Sequence, residues 1–120
     1  MKILIAEDDN LIRRTIEIKL AKDGYEVISC SEGNTALDCI REEMPDIVLT
    51  DIMLPSVSGL EIVSAVKDIT DKSIKVIVLS AMGQENIVEE AFRLGADDYM
   101  TKPFSLSELS IRVKKLIHSK

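Results

Sequence analysis

The feature that most constrains this chain is a regular alternation of short β-branched apolar runs with longer amphipathic segments. Five runs have the length and composition of buried strands. They lie at Ile3–Ala6, Val27–Ser29, Ile47–Thr50, Val76–Leu79 and, more weakly, around Tyr99 and Met100. The segments between and after them carry apolar residues at helical spacing: Leu11, Ile12, Ile16 and Leu20; Ala36, Leu37 and Ile40; Leu60, Val63 and Val66; Ile87, Val88, Ala91 and Phe92; and Leu106, Leu109, Val113, Leu116 and Ile117. The order is therefore a strand followed by a helix, repeated five times.

This order predicts an α/β fold with a parallel sheet. Strands that are apolar on both faces need helices on both faces, and right-handed crossovers then wind the sheet in two directions. Ser58 and Ser105 each begin a capping-box pattern, and Gly24 and Gly95 lie where helices should end. At 120 residues, 46% of them hydrophobic, the chain is expected to form one domain over residues 1–120.

Composition excludes several classes of function. The chain has 21 acidic and 15 basic residues, a net charge of −6, which opposes an extended nucleic-acid-binding face. No signal pattern begins the sequence, and its apolar runs stop within about six residues, so we expect a cytoplasmic protein with no membrane association. The spacing of Cys30 and Cys39 fits neither a CxxC motif nor a zinc framework, which indicates small packing residues in a reducing compartment.

Polar side chains follow four of the five predicted strands. The ligand crevice of an open parallel sheet lies outside the carboxyl ends of its strands, so these residues should meet. They are Glu7, Asp8 and Asp9 after the first strand, Asp51 after the third, Ser80 and Ala81 after the fourth, and Lys102 and Pro103 after the fifth. Asp9 is the expected N-cap of the first helix, and the other charged residues form a candidate site.

The candidate site has the charges of a magnesium-dependent phosphoryl acceptor. Converging carboxylates repel one another unless positive charge is present, and Mg²⁺ prefers oxygen ligands that include one or two carboxylates and phosphate oxygens. Glu7, Asp8 and Asp51 bring −3, while Mg²⁺ and Lys102 would bring +3. A carboxylate such as Asp51 can accept a phosphoryl group, with Lys102 and Ser80 holding its oxygens.

The stretches "ILIAEDDN", "DIVLTDIMLPSVSGLE", "VIVLSA" and "GADDYMTKPF" resemble the receiver domain of two-component response regulators, over essentially all 120 residues. The resemblance implies a flavodoxin-like (βα)5 doubly wound sheet in strand order 2-1-3-4-5. It implies Asp51 as the phospho-acceptor and Asp8 as the direct Mg²⁺ ligand. Glu7 would act on the metal through water, and the backbone carbonyl of Met53 would be a further ligand.

The resemblance also implies a switch. Ser80 is expected to be its hydroxyl, Tyr99 its aromatic residue and Lys102 the phosphate-binding lysine, with the Lys102–Pro103 peptide bond cis. Met53 and Met82 would flank the phosphoryl group, and these bulky apolar side chains should slow its hydrolysis.

The function implied is a phosphorylation-activated switch. A sensor histidine kinase would supply the phosphoryl group, and the chain would catalyse only its own phosphorylation and dephosphorylation, so it is not expected to be an enzyme. The face made by the fourth helix, fifth strand and fifth helix would change on phosphorylation. Transcription would be regulated through an output domain absent from this chain, which alone would contact DNA.

A homodimer through that face is a further expectation. Asp97, Asp98, Glu108 and Arg112 match the charged surface by which receivers of the OmpR-like winged-helix class dimerise. Val88 departs from the basic residue usual at its position in that class.

Five alternative functions can be compared with this pattern. The main alternative is a stand-alone receiver that acts by protein–protein interaction. A Mg-dependent phosphohydrolase usually carries an acid two residues after its Asp nucleophile, where this chain has Met53. A flavodoxin would need a phosphate-binding first loop, but Glu7, Asp8 and Asp9 would repel a phosphate. The glycine motifs of dinucleotide-binding and P-loop proteins do not occur.

Overall fold

A computed structural model describes residues 1–118 and contains five strands alternating with five helices. The elements are β1 (Lys2–Ala6), α1 (Asn10–Lys22), β2 (Glu26–Cys30), α2 (Gly33–Glu43), β3 (Ile47–Asp51), α3 (Gly59–Lys67), β4 (Lys75–Ser80), α4 (Glu85–Arg93), β5 (Asp98–Thr101) and α5 (Leu106–Ile117). All strand pairs are parallel, in the order β2-β1-β3-β4-β5. The predicted fold class and strand order are confirmed.

Two hydrophobic layers cover the two faces of the sheet. Alternate strand residues such as Leu4, Val48 and Val76 pack with residues of α2, α3 and α4. Their neighbours along the strands, such as Ile5 and Leu49, pack on the opposite face with α1 and α5. All five residues of β3 are buried between these two layers. Complete burial of one apolar side chain contributes about 1.5 to 3 kcal/mol.

Local side-chain contacts set the helix boundaries. The carboxylate of Asp9 accepts a hydrogen bond from the Ile12 N–H and begins α1, as predicted. The hydroxyls of Ser58 and Ser105 accept from the N–H groups three residues later and begin α3 and α5. These bonds satisfy backbone donors that have no partner inside the helix.

Asp97 fixes the start of β5 against the neighbouring strand. One of its carboxylate oxygens, Oδ2, accepts a hydrogen bond from the Val76 N–H at 2.8 Å and from Lys67 Nζ at 2.7 Å. Lys67 Nζ also donates to the Ile74 carbonyl at 3.0 Å. The carboxylate therefore ties β5 to β4 and to α3.

Some details of the predicted pattern are wrong. Asp51 and Ser80 are the last residues of β3 and β4 and are buried, whereas the sequence placed them just beyond those strands. Leu11 and Phe92 belong to the apolar stripes of α1 and α4 that the sequence predicts, but they are 77% and 42% exposed. Both lie at the edge of a stripe, where a small rotation of the helix decides between core and solvent.

Both cysteines are free, Cys30 buried and Cys39 half-buried, as small packing residues would be. Within residues 1–118, no helix combines the length and the apolar character needed to cross a membrane.

Candidate functional site

Two adjacent strands bring three carboxylates together. Ala6 pairs with Thr50 across β1 and β3, so Glu7 and Asp51 follow at the same edge of the sheet, and Asp8 begins the loop to α1. One carboxylate oxygen of each of the three lies within 4.8 Å of the others. Glu7 and Asp51 are buried and Asp8 is exposed. The acidic cluster of Glu7, Asp8 and Asp51 is thus open to solvent on one side.

Lys102 is the positive charge of this cluster. Its Nζ lies 2.6 Å from Asp51 Oδ2, to which it donates a hydrogen bond, and 2.5 Å from Glu7 Oε1. Glu7 Oε1 is buried, and the Lys102 ammonium is its charged partner. With one lysine against three carboxylates, the cluster retains a formal charge of −2, which a divalent cation would neutralise.

Burial controls the protonation of the cluster. It raises the pKa of Glu7 to about 7, and the nearby Asp51 charge acts in the same direction. The Lys102 ammonium and the Asp9 N–H oppose this rise. Burial disfavours the charged lysine, but hydrogen bonds and charge from Asp51 and Glu7 outweigh it and raise the pKa of Lys102 above its ordinary value.

The backbone around Asp51 fixes its carboxylate. The Met53 N–H donates to Asp51 Oδ1 at 3.2 Å, so each carboxylate oxygen has a donor. The side chain of Met53 is 60% exposed and that of Met82 80% exposed.

Sequence reasoning missed the part that Gly59 plays. A Cβ atom at Gly59 would lie 2.2 Å from the Asp51 carbonyl oxygen and 2.7 Å from the Ile52 Cα. Only glycine therefore allows the first turn of α3 to approach the end of β3 this closely, and the Gly59 N–H donates to the Ile52 carbonyl at 2.8 Å. The capping pattern marked Ser58, but nothing in one sequence shows a close approach between segments.

Ser80 and Tyr99 border a cavity on the α4 side. Ser80 is buried, and its carbonyl accepts from the Lys102 N–H at 2.7 Å. Tyr99 is 40% exposed and contacts Phe92 edge-to-face, with ring centroids 5.8 Å apart. Both residues line a cavity of about 440 Å³ together with Met82, Val88 and Thr101. An open space therefore lies beside the predicted switch residues.

The predicted dimer residues make contacts within the chain. Arg112 Nη1 donates to both carboxylate oxygens of Asp98, at 2.8 and 3.0 Å, and Arg112 Nη2 lies 3.8 Å from Glu108. Val88 is buried against the core. The Lys102–Pro103 peptide bond is cis.

The fold and site together define a doubly wound α/β domain with an acidic cluster, a lysine and a hydroxyl at the carboxyl edge of its sheet. The family model described as "Response regulator receiver domain" matches residues 3–114. The chain belongs to the response regulator receiver domain family.

Three relatives illustrate the similarity. The chain is 37% identical over 116 residues to "Probable transcriptional regulator ycf27" of Guillardia theta, covering 97% of this chain and 45% of that protein. The receiver domain of Francisella response regulator 1452 is 34% identical, with a TM-score of 0.86 and coverage of 96% and 94% of the two chains. A response regulator receiver domain protein from Clostridium thermocellum is 33% identical, with a TM-score of 0.90 and coverage of 97% and 93%.

Family membership defines the class of function. Receiver domains are signalling domains of two-component systems, with a histidine kinase as partner and an acidic pocket that binds Mg²⁺. The acidic cluster of this chain is a pocket of that kind. The chain spans less than half the length of the Guillardia theta regulator, whose activity belongs to that longer protein.

Proposed function

We propose that residues 1–120 act as a receiver domain in which Asp51 accepts a phosphoryl group from the phosphohistidine of a sensor histidine kinase. The observation that carries this proposal is the position of Asp51: buried at the end of β3, within 4.8 Å of two further carboxylates and hydrogen-bonded to Lys102. A carboxylate that only stabilised the fold would not need two more acids beside it, because each added negative charge raises the energy of the others.

The same residues fit Mg²⁺. Asp8 and Asp51 would bind it directly with the backbone carbonyl of Met53, and Glu7 would act through a water molecule. The convergence of three carboxylates and their residual charge of −2 support this assignment. When bound, Mg²⁺ supplies positive charge that neutralises the oxygens of the transferring phosphoryl group.

The chain's own residues then carry out the transfer. A carboxylate oxygen of Asp51 forms a bond to phosphorus while the bond from phosphorus to the imidazole nitrogen breaks, and the electron pair leaves with the imidazole. Lys102 already holds its ammonium at the acceptor oxygen, so it can follow the phosphoryl oxygens with little movement. The domain thus catalyses only its own modification and the later hydrolysis.

The signal follows from new hydrogen bonds to the phosphoryl group, which adds about −1.5 to −2 charge. Ser80 and Lys102 would each donate one, and such bonds contribute about 1.5 to 3 kcal/mol each. Changing a ratio of states from about 1:99 to 99:1 takes about 5.5 kcal/mol, which two or three bonds can supply. Ser80 moves toward the phosphoryl group, and Tyr99 enters the cavity beside it and alters the face of α4, β5 and α5.

The output of this switch is a protein contact at the face of α4, β5 and α5. A homodimer through this face is one form of it, with contact to DNA made by an output domain outside this chain. The alternative is a stand-alone receiver whose altered face binds another protein. The charged contacts of an OmpR-like dimer fit this chain less well. Asp97 and Arg112 already form ion pairs within the chain, and Val88, which stands where that class usually has a basic residue, is buried.

Incubation with Mg²⁺ and acetyl phosphate tests the proposal. We expect the intact mass of the wild type to increase by one phosphoryl group, and that of Asp51→Ala to stay unchanged. An increase in Asp51→Ala equal to that of the wild type would contradict the assignment. Steady hydrolysis of p-nitrophenyl phosphate by the wild type would instead favour a phosphohydrolase.

A further inference from the structure

We propose that Arg13 is a positioning residue of the Mg²⁺ site, which holds the β1–α1 loop in the geometry that presents Asp8. The inference rests on the proposed function and adds to it a residue outside the acidic cluster. Arg13 lies on the first turns of α1, five residues after Asp8, and its side chain is half-buried.

The guanidinium group of Arg13 spans the loop that carries the acids. Its Nη1 donates to the Glu7 carbonyl oxygen at 2.8 Å, and its Nη2 donates to the Asn10 side-chain oxygen Oδ1 at 2.6 Å. Arg13 thereby joins the last residue before Asp8 to the first residue of α1. Two bonds from one planar group hold both the distance and the relative orientation of the two groups that accept them.

Hydrogen bonds therefore hold the backbone on both sides of Asp8. The Glu7 carbonyl belongs to the peptide unit that ends at the Asp8 nitrogen, so the Arg13 bond fixes that peptide plane. On the other side, the Asp9 N–H donates to Glu7 Oε2 at 3.1 Å. The side chain of Asp8 is exposed, so the position of its carboxylate depends on these backbone contacts rather than on surrounding packing.

The charge of Arg13 and its hydrogen bonds predict opposite effects of its substitution on Mg²⁺ affinity. A positive charge beside an acidic cluster repels a cation, so loss of that charge alone should strengthen Mg²⁺ binding. Loss of the two hydrogen bonds should free the loop and weaken binding, as substitutions of groups that orient metal ligands commonly do by about 10-fold or more. Arg13→Lys keeps the charge but cannot form the planar two-point contact, which separates the two effects.

The experiment is a Mg²⁺ titration of uniformly ¹⁵N-labelled protein followed by the amide signals of Asp8, Asp9 and Met53. We expect the Kd for Mg²⁺ to rise about 10-fold in both Arg13→Lys and Arg13→Gln. Arg14→Gln is the matched control, because it removes the same charge from the next, exposed residue; its Kd should stay within about twofold of the wild type. Thermal unfolding in EDTA and the dispersion of the amide spectrum report whether each variant is folded.

The outcomes distinguish the inference from the proposed function. A wild-type Kd retained in Arg13→Lys, or tighter binding by Arg13→Gln, would assign Arg13 a charge effect alone and overturn the inference, while leaving the proposed function intact. No Mg²⁺ binding by the wild type would overturn both. Asn10→Ala gives a second route if Arg13→Gln does not fold, since it removes one of the two contacts from an exposed residue. We expect it to weaken Mg²⁺ binding with Arg13 intact, and an unchanged Kd in this variant would also overturn the inference.

Discussion

The ammonium group of Lys102 lies 2.6 Å from Oδ2 of Asp51 and makes the lysine the counter-ion of the acidic cluster. Its backbone N–H also donates to the Ser80 carbonyl. One residue is therefore connected to both the proposed phospho-acceptor, Asp51, and the proposed switch residue, Ser80. Substitution of its side chain removes the positive charge from the cluster and leaves the backbone bond to Ser80 in place.

Lys102→Met should destabilise the metal-free protein and make its stability depend more strongly on Mg²⁺. Loss of one partner of a buried ion pair costs about 3 to 5 kcal/mol, and the partial exposure of Lys102 reduces this to about 2 kcal/mol. Three carboxylates would then remain without a cation, so bound Mg²⁺ should raise Tm more in the variant than in the wild type. Thermal unfolding with and without Mg²⁺ measures this. Lys72→Met, which removes an ion pair to Asp46 from a different part of the chain, should show no enhanced Mg²⁺ effect.

The raised pKa of Glu7 predicts a pH dependence with a definite sign. Below about pH 4.5 the carboxyl is protonated in both the folded and unfolded chain. Between there and about pH 7 only the folded protein holds the proton, so the free energy of unfolding falls as pH rises, by at most about 1.4 kcal/mol per pH unit. Urea unfolding of metal-free protein should show this decline in the wild type and lack it in Glu7→Gln. If the unfolding free energy of both proteins changed with pH in the same way, the raised pKa of Glu7 would be refuted.

Gly59→Ala should disturb the acceptor as well as the fold. The added Cβ would collide with the Asp51 carbonyl oxygen, and relief of that collision requires the backbone of β3 or α3 to move. We expect a loss of about 3 kcal/mol in unfolding free energy and much slower phosphorylation by acetyl phosphate. Gly24→Ala is the control: it introduces strain at φ +97° but meets no atom within 4 Å, so it should cost about 1 to 2 kcal/mol and leave the phosphorylation rate unchanged.

Ser80→Ala should separate phosphorylation from switching. The variant keeps Asp51, Lys102 and the acidic cluster, so it should still accept a phosphoryl group. Loss of one hydrogen bond to a charged group should reduce the preference for the switched state by about 1.5 to 3 kcal/mol, about 10-fold or more in the ratio of states.

The fluorescence of Tyr99 can report this change. The chain has two tyrosines and no tryptophan, so in a Tyr25→Phe background Tyr99 is the sole tyrosine. Its emission should change on phosphorylation in that background and change less when Ser80→Ala is added. An equal change in both proteins would exclude Ser80 as the link. Partner binding that still depends on phosphorylation in Tyr99→Ala would exclude the aromatic residue in the same way.

Met53→Asn and Met82→Asn should shorten the lifetime of the phosphorylated domain several-fold. Both methionines are largely exposed near the ends of β3 and β4, so their side chains are free to cover the phosphoryl group and hinder an attacking water molecule. Decay of the phosphorylated mass after removal of acetyl phosphate gives the half-life. Ile111→Asn, which makes the same change on an exposed residue of α5, should leave it unaltered, and equal half-lives for all variants would remove the proposed role of the methionines.

Periodicity predicted much of this structure because each strand carries its own apolar signal. The runs beginning at Ile3 and Ile47 correctly predicted strands, and the crossover rule predicted a parallel sheet wound in two directions; the strand order followed from the resemblance to receiver domains. Acids after adjacent strands had to meet, so the sequence also predicted the cluster of Glu7, Asp8 and Asp51. These predictions rest on contacts that a regular backbone makes unavoidable.

The remaining features depend on distances between segments far apart in sequence. The approach of Gly59 to Asp51 and the contacts of Asp97 with Lys67 arise from the way in which helices pack, for which one sequence carries no periodic signal. Arg13 belongs to the same class, because its contacts follow from the course of the loop between Glu7 and Asn10. Helix stripes likewise could not decide whether Leu11 and Phe92 face solvent.

The side chain of Asp97 adds two contacts to the start of β5, whereas the end of the strand is held by backbone pairing with β4. If the proposed switch operates, any displacement of β5 should be smaller at Asp98, beside the contacts of Asp97 with Val76 and Lys67, than at Thr101. A small shift near Lys102 would then tilt the surface that carries Tyr99. Amide hydrogen exchange should accordingly remain slow at Val76 while it changes at Thr101.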